Sequence, residues 1–241
     1  MELIRINELV RKEGERKILN LPSLVIPSGQ RLGIMGENGS GKSSLLKCIA
    51  GLLQPTSGTI YFKGKRVEGP DEVLLPGHKK IAYLSQHFVL LNNYKIWELL
   101  EMSNKLDDAT AEQLYTICRI DHLLNRKSNE VSGGERQRIA LARTLTTQPE
   151  LLLLDEPYSN LDLISKNKLT HVIHDISRQL NSTLVLVTHD PKDILDWAER
   201  LLIIRDGSIV QDHTPHRIFQ HPANEYVAGI MGSIPTIAQS S

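Results

Sequence analysis

The stretch GENGSGKSS, residues 36–44, follows directly on the apolar run RLGIM, residues 31–35. It carries two glycines with four residues between them, Gly36 and Gly41, followed by a lysine and a serine, which is the spacing of a phosphate-binding loop. The glycines let the backbone wrap a polyphosphate with its N–H groups pointing inward, and the positive end of the next helix dipole adds to the attraction. The stretch therefore predicts nucleotide binding at the end of a buried strand.

In such a loop Lys42 should reach the β- and γ-phosphates, and Ser43 should be a ligand of Mg²⁺. An ordinary glycine turn is the alternative, but residues 44–50 have apolar positions at helical spacing and end at Gly51, so strand, loop and helix follow one another. The residues expected to hold the nucleotide are Gly36, Glu37, Asn38, Gly39, Ser40, Gly41, Lys42, Ser43 and Ser44.

Composition narrows the class of protein. The chain has 241 residues, 40% of them hydrophobic, which is enough for one sizeable core, and we expect one domain over residues 1–241. Since 28 basic residues balance 28 acidic ones, no global field recruits nucleic acid or an anionic bilayer. Cys48 and Cys118 are too few for a disulfide framework, which favours a reducing cytoplasm. No apolar run reaches signal-peptide or membrane-spanning length, so we expect neither export nor a membrane span.

Strand-like and helix-like segments alternate along the chain, which predicts an α/β fold. The short apolar runs at residues 31–35, 151–154 and 184–187 are typical of buried parallel strands. Residues 96–127 have helical spacing and predict a helical insertion.

A second group of strands is expected beside the main sheet. Residues 2–9 and 21–26 alternate loosely, and residues 59–62 follow a turn, so these segments predict a small antiparallel sheet. Residues 201–204 and 209–211, joined through an Asp-Gly turn, predict a late hairpin.

The run LLLLDEP, residues 151–157, places Asp155 and Glu156 at a strand end, where open α/β sheets build ligand sites. Asp155 would hold Mg²⁺ through a water, and Glu156 would polarise the attacking water as general base. Taken alone, such a pair is more often a solvated strand end. The phosphate loop reverses that preference.

His189 and Gln86 each follow another strand-like run. His189, in VTHD, could bind the terminal phosphate or orient the water, although an isolated histidine here would more often be a loop or core residue. Gln86, in AYLSQHF, offers an amide oxygen to Mg²⁺, and a plain surface glutamine is the alternative.

The stretch VSGGERQR, residues 131–138, places Ser132, Gly133 and Gly134 before a charged helix. Exposed N–H groups at this second helix N-terminus predict a second phosphate-binding site. A head-to-tail dimer, in which each chain closes the other's site over ATP, would use both phosphate-binding sites. A simple helix cap on a surface loop is the alternative.

Six motifs in this order resemble the ATP-binding cassette family over nearly the whole chain. They are the phosphate loop at residues 36–44, the glutamine loop at Gln86, the signature VSGGE at residues 131–135, the acidic motif LLLLDEP at residues 151–157, the aspartate loop SNLD at residues 159–162 and the switch histidine His189. The signature departs slightly, with Val131 where leucine is usual and Glu135 where glutamine is usual.

The resemblance implies a P-loop NTPase (RecA-like) fold: a mostly parallel sheet with flanking helices, an antiparallel β subdomain and an inserted helical subdomain. It implies a core at residues 1–86 and 146–230, a helical signature subdomain at residues 87–145 and a tail at residues 231–241.

The resemblance also implies roles in an ATP-sandwich dimer. Ser132 and Gly134 would contact the γ-phosphate of the partner's ATP, and Asp162 would communicate between the two sites. Glu156 would be the hydrolytic base.

The adenine site departs from the family, which commonly stacks an aromatic side chain on the base from a loop near the end of the first strand. Here no Phe, Tyr or Trp precedes Tyr61, and residues 11–14 are polar. We predict weak stacking, or a cation from Arg11 or Lys12 over the base.

A transporter ATPase working with separate integral membrane permease subunits is the favoured function, as a homodimer or with a paralogous ATPase, on the cytoplasmic face of the membrane. A solute-binding protein is a further expected partner, and we expect no nucleic acid partner.

The segment HFVLLNNY, residues 87–94, would receive a permease helix or else be a buried helix start. The stretch at residues 221–232 resembles the segment that closes the cassette in ATPases of bacterial importers, which favours import over export. The alternatives are a soluble ATPase acting on nucleic acid or ribosomes, and a nucleotide-gated assembly factor.

Overall fold

The structure, a computed structural model, describes residues 1–86, 88–179 and 182–232. The chain forms two compact units: one contains Met1–Pro76 and the described residues from Val185 onward, and the other contains the described part of Gly77–Leu184. The strands are β1 (Glu2–Glu13), β2 (Arg16–Pro27), β3 (Arg31–Met35), β4 (Ser57–Phe62), β5 (Lys65–Arg66), β6 (Ile81–Leu84), β7 (Leu151–Asp155), β8 (Thr183–Val187), β9 (Arg200–Arg205) and β10 (Ser208–His213). The helices are α1 (Lys42–Ile49), α2 (Ile96–Glu101), α3 (Asp108–Ile117), α4 (Gly133–Leu145), α5 (Leu163–Gln179), α6 (Lys192–Leu195), α7 (Pro215–Gln220) and α8 (Glu225–Ile230), with a 3-10 turn at Asp121–Leu123.

The first unit contains the small antiparallel sheet that the sequence predicts. Its strand order is β2-β1-β4-β5, and β1 pairs antiparallel with both β2 and β4. Ile4 and Ile6 of β1 are buried, because alternate side chains of a strand point to the same face. Leu9 is also buried and lies within an irregularity of the strand, where the register shifts between Asn7 and Val10. The sheet is confirmed, although β1 and β2 run several residues beyond the predicted segments.

The first unit also holds strands in the order β10-β9-β3-β8. Strands β3 and β9 are parallel, and β9 and β10 form the predicted antiparallel hairpin. The four residues Leu32 to Met35, like all of β8, are buried, which matches their continuous apolar sequence.

The second unit combines strands and helices. Strands β6 and β7 are parallel, and β8 begins in this unit at Thr183. The predicted helical insertion at residues 96–127 consists of α2, α3 and the 3-10 turn, and α4 and α5 follow. The compact unit therefore takes in β6, β7 and α5 in addition to the predicted helical segment at residues 87–145.

Among the residues that the structure describes, no helix combines the length and the apolar character needed to span a bilayer.

Candidate functional site

The phosphate loop joins β3 to α1 within the first unit. Its glycines are required by close contacts: a Cβ on Gly36 would lie 2.1 Å from the Ile204 carbonyl oxygen, and one on Gly41 would lie 2.5 Å from the Ile18 carbonyl oxygen. Gly41 also has φ 102°, a left-handed conformation that glycine adopts without strain. The sequence spacing thus corresponds to a tightly packed backbone turn at the start of α1.

Lys42 lies across this loop. Its side chain is buried, and its Nζ donates to the carbonyl oxygens of Gly36, at 2.8 Å, and Glu37, at 2.7 Å. Ser40 is also buried, whereas Ser43 is exposed. The ammonium group is therefore held at the loop, where a phosphate-binding lysine is needed.

His189 belongs to the same unit and follows β8, the neighbour of β3. The Thr188 N–H donates to the Ile34 carbonyl at 3.3 Å, and the Thr188 hydroxyl donates to Asp193 Oδ2 at 2.8 Å. These bonds fix the turn that carries the exposed His189 at the edge of the sheet where the phosphate loop begins. A ligand at this edge is what an open α/β sheet would hold.

Asp155 and Glu156 lie in the second unit, at the end of β7. Asp155 is buried, and its Oδ2 accepts a hydrogen bond from the Tyr83 hydroxyl at 2.8 Å. Burial and this bond to the carboxylate raise the pKa of Tyr83, so the phenol keeps the proton that it donates. Sequence reasoning missed Tyr83, although it stands on the strand that leads to Gln86.

Glu156 has an unusual backbone. Its φ of 48° lies in the left-handed region, where a residue other than glycine is strained, and such residues cluster at functional sites. Its Oε2 accepts a hydrogen bond from the Ser159 hydroxyl at 2.9 Å. The carboxylate is thus oriented by a short turn directly after β7, as a general base needs to be.

The signature stretch begins α4 with a capping box. The Ser132 hydroxyl accepts from the Glu135 N–H at 3.3 Å, and Glu135 Oε2 accepts from the Ser132 N–H at 2.8 Å. The backbone bond from Ser132 lowers the pKa of Glu135. Helix α4 begins at Gly133, one residue after the cap, so the glycine pair lies within the first helical turn and does not precede the helix as the sequence indicated.

The aspartate loop touches the signature helix through one serine. Asp162 accepts hydrogen bonds from the Ser165 N–H at 2.9 Å and from the Ser165 hydroxyl at 2.7 Å. A Cβ on Gly134 would lie 2.6 Å from the Ser165 side chain. Sequence reasoning missed Ser165, because no sequence pattern around this residue indicates that α5 packs directly on Gly134.

A groove of about 550 Å³ in the second unit connects three of the predicted motifs. Its lining includes Gln86, Gly133 and Ser159, from the glutamine loop, the signature helix and the aspartate loop. The structure therefore brings these three motifs together on one surface.

The segment at residues 88–94 borders this groove, and His87 lies outside the described residues. Val89 is 82% exposed, while Leu90 is buried. The segment is thus an apolar surface loop and not the buried helix start that was the alternative interpretation.

The predicted Mg²⁺ ligands fit that ion chemically. Ser43 offers a hydroxyl, Gln86 an amide oxygen and Asp155 a carboxylate, and Mg²⁺ is held by oxygen ligands, commonly one or two carboxylates with substrate phosphates. The described residues contain no cluster of three or more His, Cys, Asp and Glu side chains that could hold a metal ion.

At the expected adenine neighbourhood, Arg11 is partly buried and its Nη1 donates to the Gln54 carbonyl at 3.0 Å, while Lys12 is exposed. Of the two predicted cations, Lys12 is the one whose side chain is open to solvent.

Comparison with solved structures supports the fold class. The crystal structure of the ADP conformation of an ATP-binding cassette of an ABC transporter has a TM-score of 0.80 and 23% identity, covering 95% of this chain and 98% of the other. A nucleotide-free cassette gives the same values. The α/β P-loop fold predicted from the sequence is confirmed.

Sequence comparison gives relatives among import proteins. The glucose import ATP-binding protein GlcV of Saccharolobus solfataricus is 34% identical over 93% of this chain, and the sulfate/thiosulfate import ATP-binding protein CysA of Salmonella typhi is 34% identical over 96%. The maltose/maltodextrin import ATP-binding protein MalK of Aliivibrio fischeri is 32% identical over 97%. The chain spans 66%, 65% and 64% of the lengths of these relatives. The family model described as ABC transporter matches residues 19–159, and together with these relatives it establishes that the chain belongs to the ABC transporter family.

Proposed function

We propose that this chain is the ATP-binding and hydrolysing subunit of an ABC importer and powers solute translocation through separate membrane permeases. The phosphate loop carries the proposal, because its closely packed glycines and the Lys42 ammonium group held at the loop support polyphosphate binding. The relatives named for glucose, sulfate/thiosulfate and maltose/maltodextrin import support the direction of transport.

Each predicted residue has a proposed role at the nucleotide. The loop amides and Lys42 bind the phosphates. Ser43 and Gln86 would supply oxygen ligands for Mg²⁺, and Asp155 would hold the ion through a water. A Mg²⁺ ion held by these residues would supply positive charge that neutralises the phosphates. Glu156 accepts a proton from the attacking water, and Ser159 orients its carboxylate.

His189 serves the same reaction by donating a hydrogen bond to the terminal phosphate or orienting the water. The exposed position of His189, on a turn fixed by Thr188 and Asp193, supports this role.

We propose a head-to-tail dimer as the hydrolysing form, in which Ser132, Gly133 and Gly134 bind the γ-phosphate of the partner's ATP and Asp162 communicates between the two sites. Exposed apolar side chains support a partner surface: Leu163 and Ile164, directly after Asp162, are 73% and 68% exposed. Interfaces bury such side chains at their centre. The partner is a second copy or a paralogous ATPase.

The proposed permease contact is the apolar loop at residues 88–94, where Val89 and Leu91 are exposed. In this arrangement the chain is peripheral on the cytoplasmic face of the membrane, and a solute-binding protein completes an importer. We expect no nucleic acid partner.

Hydrolysis is tested by phosphate release from Mg-ATP. The wild-type chain should turn over, and Glu156→Gln should lose at least about 100-fold in kcat while still binding Mg-ATP, because only the general base is removed. Glu112→Gln, an exposed residue of α3, is the matched control and should keep wild-type turnover. Unchanged turnover in Glu156→Gln would contradict the proposal.

The transport partner is tested by purification from native membranes in mild detergent. The wild-type chain should co-purify with an integral membrane protein in stoichiometric amount, and Val89→Asp combined with Leu91→Asp should release it. Stable binding of ribosomes or DNA without a membrane partner would favour the soluble alternative.

A further inference from the structure

The last described helix, α8, reaches the phosphate loop through one side chain. Asn224 caps α8, accepting a hydrogen bond from the Val227 N–H at 3.0 Å, and Tyr226 stands in its first turn. Tyr226 is half-buried, and its hydroxyl lies in the first unit beside the start of the loop.

The Tyr226 hydroxyl uses both of its hydrogen-bonding capacities. It accepts from the Glu37 N–H at 3.0 Å and donates to the Ile204 carbonyl at 3.0 Å. The same Ile204 carbonyl leaves no room for a side chain on Gly36. The hydroxyl therefore ties the first peptide of the phosphate loop to the end of β9.

A contact with Arg205 also holds the ring in this place. The Arg205 guanidinium lies 4.7 Å from the centroid of the Tyr226 ring, a distance at which cation and ring attract each other. Burial raises the pKa of Tyr226, so the hydroxyl keeps its proton at neutral pH.

The peptide between Gly36 and Glu37 is held from both sides. Its N–H donates to Tyr226, and its carbonyl, which belongs to Gly36, accepts from Lys42 Nζ at 2.8 Å. Since a peptide unit is planar, fixing its N–H also fixes the direction of its carbonyl. The hydroxyl of Tyr226 thus orients one of the carbonyl groups that accept hydrogen bonds from the Lys42 ammonium group.

We propose that Tyr226 is a positioning residue for nucleotide binding, which acts through the Gly36–Glu37 peptide on Lys42 and on the phosphate loop. This inference rests on the proposed function, in which Lys42 binds the β- and γ-phosphates. A purely structural role, in which the hydroxyl only anchors α8, is the competing explanation.

Tyr226→Phe tests the inference, because it removes the hydroxyl and leaves the ring on Arg205. The dissociation constants of fluorescent ATP and ADP analogues should rise about 3- to 10-fold, the effect of one lost hydrogen bond. KM for ATP should rise by a similar factor with kcat little changed. Tyr61→Phe, on β4 of the same unit, is the matched control and should bind like wild type.

Two measurements separate positioning from anchoring. In the nucleotide-free protein, hydrogen exchange at the Glu37 amide should be faster in Tyr226→Phe than in wild type, as a lost hydrogen bond requires. Asn224→Ala, which weakens the cap of α8 and keeps the hydroxyl, should lower Tm with a smaller effect on nucleotide affinity.

Wild-type affinity in Tyr226→Phe, unchanged exchange at Glu37, or an equal loss of affinity in Asn224→Ala would each overturn the inference while leaving the proposed function intact. Failure of the wild-type chain to bind ATP would overturn both, so the two failures are distinguishable.

Discussion

A methyl group added at Gly134 should destabilise the protein relative to the same change at Gly133. Both glycines lie in the first turn of α4, where alanine is otherwise favoured by up to about 1 kcal/mol. A Cβ at Gly133 meets nothing within 4 Å, whereas one at Gly134 lies 2.6 Å from the Cβ and Oγ of Ser165. Ordinary carbon contacts are about 3.5–4.0 Å, so α4 or α5 must shift by about 1 Å.

Overpacking of this kind costs about 1–3 kcal/mol, so Gly134→Ala should be less stable than Gly133→Ala by that amount. For a chain of this size the difference corresponds to roughly 2–12 °C in Tm, measured by scanning calorimetry. In a Ser165→Gly background the methyl group has room, and the difference between the two alanine variants should shrink below about 0.5 kcal/mol. Equal stability of the two single variants, or an undiminished difference in the Ser165→Gly background, would refute the packing argument.

Three further predictions concern the pH dependence of stability, the reactivity of the cysteine thiols and the preference for the nucleotide base. The hydrogen bond from the Ser132 N–H lowers the pKa of Glu135 in the folded protein below its ordinary value of 4.5. The stabilising effect of the Glu135 carboxylate is therefore present above pH 4.5 and is lost as the pH falls through the pKa that Glu135 has in the folded protein. Chemical denaturation should show wild type and Glu135→Gln converging below about pH 4, and a constant gap would contradict this. Burial raises the pKa of both Cys48 and Cys118 to about 12. A disulfide reagent at pH 8 should therefore label neither thiol until denaturant is added. Fast labelling of the folded chain would contradict the burial of these two side chains. Because no aromatic residue precedes Tyr61, hydrolysis of ATP and GTP should have similar kcat/KM, and a strong preference for ATP would reject the base-stacking prediction.

Short-range sequence patterns predicted the elements that hold the motifs. The apolar run at residues 31–35 coincides with β3, and the runs that became β7 and β8 are each one residue longer than predicted. These strands are predictable because continuous burial requires continuous apolar sequence. The phosphate loop is predictable because backbone contacts at Gly36 and Gly41 leave no room for a side chain.

Contacts between distant segments were not predictable from one sequence. Tyr226 meets Glu37 across 189 positions, and Tyr83 meets Asp155 across 72. Neither tyrosine has a periodicity or a neighbour that indicates its partner, because the contacts arise only when the elements pack. The division of the chain into compact units likewise depends on packing and not on any change of composition along the sequence.

We propose that two copies of this chain close over ATP, with the phosphate loop of one facing the capped signature helix of the other. Sedimentation velocity of Glu156→Gln with and without Mg-ATP tests this dimer, because loss of the proposed general base should leave bound ATP unhydrolysed. We expect a monomer without nucleotide and a dimer with it, and Ser132→Arg in the same background should abolish the dimer while ATP binding persists. A Glu156→Gln protein that binds Mg-ATP yet remains monomeric at high concentration would contradict the claim.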